Sequence, residues 1–127
     1  MNMIDNALGV HAQALGLRSK RMEVLARNIS NADTPHYKAK DVDFASVLKQ
    51  TQEATLNTTS NLHMGLPMEE NPSGEKYRIP FNASFDGNTV EMNVEQAKFV
   101  QVAADYQTTL NILENRVSGI RRALRGD

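Results

Sequence analysis

The chain has 127 residues, a formal net charge of −1 and neither cysteine nor tryptophan. That length suits one domain with a modest core, and so small a charge creates no field to recruit nucleic acid or an anionic membrane. Without Cys there is no disulfide frame, no thiolate zinc site and no thiol nucleophile.

The first segment, from Asn2 to about Ala32, reads as a long helix. Ile4, Leu8, His11, Leu15, Arg18, Met22, Leu25 and Ile29 recur at alternating steps of 4 and 3, the heptad spacing that turns one stripe toward a partner helix. Polar residues interrupt this seam at His11 and Arg18. A narrower second stripe, Val10, Leu17 and Val24, lies one heptad apart on another face. Two stripes suit a helix contacted from more than one side, either by neighbours or by the chain's own middle region. Gly9 and Gly16 each weaken the helix by about 1 kcal/mol relative to Ala.

The helix is expected to end across residues 31–35, because Thr34 precedes Pro35 and is pushed out of the α region. Residues 36–40 read as a short extended link. Asp41 or Asp43 can then cap a short helix with the apolar face Phe44, Val47 and Leu48. From 51 to 89 Thr, Asn, Ser, Gly and Pro dominate and no helical period survives. Within this insert Tyr77, Ile79 and Phe81 alternate with Arg78 and Pro80, which predicts an edge strand or extended arm. Phe85-Asp86-Gly87-Asn88 is a turn signal.

The last segment carries the strongest pattern. Phe99, Ala103, Tyr106, Leu110, Leu113, Val117, Ile120 and Leu124 form an unbroken seam with steps of 4 and 3. Asn93 with Gln96 three residues on predicts an N-cap and capping box. Glu95 in the first turn and Arg121, Arg122 and Arg125 in the last suit the macrodipole. About 32 residues of helix would run roughly 48 Å, too long for so short a chain to wrap. The plan is mainly α. Long N- and C-terminal helices pair as an antiparallel coiled coil, with an irregular loop or extended insert between them. Its parts are residues 1–50, 51–92 and 93–127, and the two termini form one structural domain.

Catalytic patterns are missing. His11, His36 and His63 stand in no metal-ligand spacing, and His11 reads as a polar seam residue. Glu69 and Glu70 are adjacent carboxylates in a polar loop and read as solvated surface. The cluster Arg116, Arg121, Arg122 and Arg125 lacks interleaved aromatics and reads as a helix end rather than a phosphate site. No GxSxG, Walker-type loop or GxGxxG occurs. The N-terminus MNMIDNALGV has neither the basic nor the apolar region of a cleavable signal, and no run approaches the ~18 apolar residues of a membrane span. No enzyme activity, cofactor, metal, nucleic acid or membrane span is expected.

The stretch LARNISNADTPHYK at 25–38 closely resembles LAxNIANxxTPGYK, the N-terminal signature of bacterial flagellar rod and hook proteins. Asn28, Ile29, Asn31, Thr34, Pro35 and Tyr37 carry the match. The continuation KDVDFA, with Asp43 and Phe44, and the later block DGNTVEMN at 86–93 are similar to the proximal-rod branch. Ser30 replaces the usual Ala and His36 the usual Gly. A positive φ at that site would strain His where it spares Gly.

The resemblance implies a structural subunit whose terminal helices pair and whose copies stack into a helical tube. The signature turn and the 37–44 link would touch neighbouring subunits. By the same resemblance, its partners would be copies of itself, other rod proteins, the MS-ring/rod junction protein and export-gate components. It would leave the cell by flagellar type III export without a cleavable signal, and would sit in the periplasmic rod of the basal body and transmit torque. A sister rod subunit, or a secreted helical adaptor binding a single partner, is the alternative. Isolated helices of this length are marginally stable until their stripes are buried, so ordering on assembly is expected.

Overall fold

The computed structural model describes residues 8–53, 73–82 and 84–126. They form helix α1 (Val10–Ser30), strand β1 (Lys40–Val42), helix α2 (Phe44–Glu53), strand β2 (Glu75–Tyr77) and helix α3 (Met92–Arg125). The chain is mainly α.

The N-terminal helix is not continuous from Asn2 to Ala32. Gly9, at φ 58° and ψ −148°, occupies the position before α1, in a backbone region essentially reserved for Gly. The glycine thus breaks the helix where the sequence pattern alone let it run on. Ile4 lies outside the described residues. At the other end α1 stops at Ser30, and the Asn31 side chain turns back to donate from Nδ2 to the Arg27 carbonyl at 2.8 Å.

Helix α3 starts at Met92, one residue before the expected cap. Glu91 holds the N-cap position with no side-chain cap bond, so the Asn93–Gln96 box does not form. Glu91 instead uses its carboxylate to accept from the Asn82 N–H at 3.2 Å. The helix ends at Gly126, whose left-handed φ of 76° and N–H to the Arg122 carbonyl close the last turn.

The two long helices lie side by side and their contacts run in opposite order. Arg18 Nη1 donates to the Asp105 carbonyl at 2.7 Å, and Asn28 Nδ2 donates to Glu95 Oε2 at 3.0 Å. Ten residues forward on α1 therefore meet ten residues back on α3. The positions buried most deeply on α3 are Glu95, Val102 and Thr109, and on α1 they are Ala14, Val24, Leu25 and Asn28. Leu8, Leu15 and Met22 are half-buried, as are Val10 and Leu17 of the second stripe. On α3 Phe99, Ala103, Tyr106, Leu110, Leu113 and Ile120 are half-buried, while Val117 and Leu124 are exposed. A single partner helix covers one side of such a seam and leaves its flanks to solvent.

The strands pair antiparallel, Lys40 with Tyr77 and Val42 with Glu75. The paired strand thus sits earlier than the 77–81 alternation predicted. Arg78 extends the ladder by one bond to the Ala39 carbonyl at 3.0 Å. Pro80 then has no N–H to offer. Asp43 caps α2 through the Ser46 N–H at 3.2 Å, and Gly74 (φ 64°) lies so close that a Cβ there would come within 2.1 Å of Val47 Cγ2.

Candidate functional site

The signature residues converge where the end of α1, the β1 strand and the start of α3 meet. Asn28 is the node. Its amide serves Lys40 as a neighbouring strand would, donating to the Lys40 carbonyl at 2.6 Å and accepting from the Lys40 N–H at 3.2 Å. It also accepts from the Tyr37 hydroxyl at 3.3 Å and donates to Glu95. Glu95 is fully buried and is paired on its other oxygen with the Arg78 guanidinium. A buried carboxylate survives only with partners of this kind. Asn28, Glu95 and Arg78 thus tie helix, helix and arm at one point, and among the described residues no buried side-chain polar atom lacks a partner.

A second fastening comes from the turn at 85–88. Asn88 is buried and donates from Nδ2 to the carbonyls of Asn31, Ala32 and Thr34 at 3.0, 2.8 and 2.8 Å. The Asn31 carbonyl is the C-cap acceptor of α1, and the other two belong to the turn that follows it. Alongside it His36 N–H donates to the Asp86 carbonyl, Thr89 N–H to the Tyr37 carbonyl and Ala39 N–H to Thr89 Oγ1. The block 86–90 is therefore stitched along 31–39. His36 has φ 61°, so the left-handed turn is kept although Gly is absent. Its ring lies over Gly87, where an added Cβ would come within 2.9 Å of His36 Nδ1. Asp86 is held below the usual carboxylate range by the Ser84 hydroxyl and the Asn88 N–H.

The third element is a charge cluster between the helices. Arg21 grips Asp41 with both arms, at 2.8 and 2.9 Å, and Lys98 from α3 approaches the same carboxylate at 3.3 Å. Burial pushes the Asp41 carboxyl up. The Arg21 fork, the Val42 N–H and Lys98 outweigh it, and the pKa falls below its ordinary value. The Arg21 guanidinium is raised in return, chiefly by the bond to Asp41. Asp43 is also held low, first by Lys76 and then by the Ser46 N–H. Next to this cluster a cavity of about 140 Å³ is lined by Arg18, Arg21, Phe44, Val102 and Asp105, with the Arg18 guanidinium 5.3 Å from the Phe44 ring centre.

Asn28 is buried, while Ile29, Asn31, Tyr37, Asp43 and Phe44 are half-buried and Thr34 and Pro35 exposed. Sequence reasoning passed over Asn88, Arg78 and Asp41 as fastening residues. It read Glu95 as a dipole charge. The available signal was that Glu95, Val102 and Thr109 stand seven apart, which puts a carboxylate in line with the helix contact. His63, Glu69 and Glu70 lie outside the described residues. Among the described residues no group of three or more His, Cys, Asp or Glu could hold a metal ion, and no helix is long and apolar enough to cross a membrane.

The arrangement is a set of mechanical fastenings, and comparison with known proteins agrees in kind. Residues 8–38, which span α1 and the signature turn, match the family model described as flagella basal body rod protein. Over its whole length the chain is similar to proteins named flagellar basal body rod protein FlgB. It is 46% identical over 128 residues to that of Cereibacter sphaeroides, covering 100% of both chains. It is 41% identical to that of Aeromonas hydrophila, covering 97% of this chain and 96% of the other. With that of Escherichia coli the identity is 40%, covering 98% and 97%. The chain belongs to the FlgB family of flagellar basal body rod proteins. Members of this family are structural components rather than enzymes.

Proposed function

We propose that this chain is a structural subunit of the proximal rod, linking the MS-ring and export-gate junction to the rest of the rod and transmitting torque. Full-length similarity to the FlgB proteins carries this reading. The buried Asn28–Glu95–Arg78 node supports it, because a torque-bearing subunit needs its two terminal helices locked in register. The helices pair as an antiparallel coiled coil formed by the two termini. The half-buried flanks of that pair, with Val10 and Leu17, receive neighbouring subunits side by side. Thr34 and Pro35 of the signature face outward and complete the lateral contact. The subunit reaches the periplasm unfolded through the flagellar type III pathway, without a cleavable signal.

Deletion of the coding region tests the reading, with swimming scored and basal bodies imaged. Non-motile cells with rings but no rod, restored by the intact gene, are expected. Normal swimming with intact rods, in cells lacking a duplicate gene, would overturn it. Leu17→Glu should then block rod formation while the purified chain keeps its helicity by circular dichroism. Intact rods in that variant would remove the lateral role of the second stripe.

A further inference from the structure

The cavity between the helices holds hydrogen-bond donors that the three fastenings leave unused. It lies beside the Arg21–Asp41 pair, where the middle of α1, the middle of α3 and the first residue of α2 meet. Two guanidinium groups share its wall, and each is held from one side. Arg18 donates from Nη1 to the Asp105 carbonyl and lies against the Phe44 ring. Its Nε and Nη2 bond to nothing among the described residues. Arg21 gives Nε and Nη2 to Asp41, which the Val42 N–H and Lys98 also hold. Its Nη1 likewise bonds to nothing among the described residues. Phe44 is fixed in turn, because Asp43 caps α2 and is anchored by Lys76. The donors are therefore oriented before anything binds, which removes an ordering cost that weakens most surface ion pairs.

Charge and size select the guest. Arg18, Arg21 and Lys98 stand against Asp41 and Asp105, which leaves one positive charge in excess. Glu95, which also acts on Arg21, is balanced by Arg78. Asp105 is exposed, so water screens its repulsion of an anion. A volume of about 140 Å³ is well below the ~300–1,000 Å³ of sites for cofactors and drug-sized ligands, and the guest is a single small group. Planar guanidinium edges suit a planar carboxylate, and Phe44 with buried Val102 gives its stem an apolar wall.

We propose that this cavity is a carboxylate-binding site that takes an Asp or Glu side chain of an adjoining protein molecule. The net value of a bond to a charged group corresponds to a free carboxylate binding in roughly the 10–100 mM range, too weak to retain a metabolite. The same group on a molecule already held by other contacts gains roughly 10²–10⁴-fold in avidity. The source of the acid rests on the reading of the chain as an assembled subunit, while the chemistry of the pocket does not.

Acetate is the probe for the pocket. The Arg Nε–H resonances of the purified chain are followed by NMR while sodium acetate replaces sodium chloride at constant ionic strength. The Arg18 and Arg21 signals should shift to saturation, and acetamide should leave them in place. Arg18→Gln should weaken acetate about tenfold or more, as loss of a charged partner requires. Shifts that never saturate, or that acetamide reproduces, mean an adventitious ion only and overturn the site. If Arg18→Gln fails to fold, Arg18→Lys, which keeps the charge and loses the planar fork, should weaken acetate several-fold. Unchanged affinity there overturns the site.

The protein-borne guest is sought in basal bodies with a photo-reactive benzoylphenylalanine in place of Gln101, which is exposed one turn from Asp105 on the same face of α3. The adduct should fall on a segment containing Asp or Glu. Arg18→Glu should impair swimming, and changing the cross-linked acid to Arg should restore it. No adduct, an adducted segment without an acid, or no restoration would overturn the protein-borne guest. Absence of the chain from the basal-body fraction would instead sink the rod reading, with the acetate titration still judging the pocket.

Discussion

Replacing Asn28 by Ala removes the group through which the most elements communicate. Three of its bonds go to backbone or neutral partners, the Lys40 N–H, the Lys40 carbonyl and the Tyr37 hydroxyl, and one to the buried Glu95 carboxylate. A neutral bond contributes about 1 kcal/mol net and a bond to a charged group about 1.5–3 kcal/mol. The Tyr37 hydroxyl, at 3.3 Å and only partly buried, can turn to water. The expected loss is therefore about 3.5–5 kcal/mol, a large share of the stability of a domain this size. Because α1 and α3 bury one another within a single chain, rather than only on assembly, urea unfolding of the purified chain followed at 222 nm measures it directly. Asn28→Asp sharpens the test. It sets a second carboxylate beside Glu95, two such groups cannot both ionise there, and one pKa rises. A raised folded-state pKa contributes stability that is present at low pH and lost as pH rises through it. Asn28→Asp should therefore be more stable at pH 5 than at pH 7. A loss below 1 kcal/mol in the Ala variant, or no acid rescue in the Asp variant, would refute the node.

Asn88→Ala should cost about 2 kcal/mol in the same unfolding assay, since three carbonyls lose one shared donor and those at the exposed rim recover water. Gly87→Ala should cost a similar ~2 kcal/mol, part from its φ of 75° and part from contact with His36. In a His36→Gly background the contact part should vanish while the backbone part remains, which thermal melts of the single and double variants will show. Asp41 titrates below its ordinary value in the folded chain. Its contribution is thus present at neutral pH and lost as pH falls below about 4. Unfolding free energies measured from pH 7 down to 2 should decline less steeply in Asp41→Asn than in wild type, and parallel curves would contradict the role assigned to the Arg21–Asp41–Lys98 cluster.

Periodicity alone was enough for the helices. A 4-3 spacing depends only on the geometry of the α-helix, so the long C-terminal segment was legible as one helix. The turn at 31–36 was legible for an equally local reason, because Thr34-Pro35 forbids helix. The break at Gly9 was not, since a glycine can continue a helix or leave it, and its surroundings decide. Nor was the start at Met92, where the tertiary bond from Asn82 to Glu91 competes with the local Asn93 cap. The joining of Asn28 to Glu95, of Asn88 to the end of α1 and of Asp41 to Lys98 spans 67, 57 and 57 residues. Local pattern carries no record of such pairings, because polar residues show no period that names their partner. Sequence by itself therefore determined the mainly helical plan, the signature turn and the lack of catalytic machinery. The tertiary structure decided that the signature Asn28 faces inward to lock the register of the helices. A buried amide must find its hydrogen bonds wherever the fold brings donors and acceptors together.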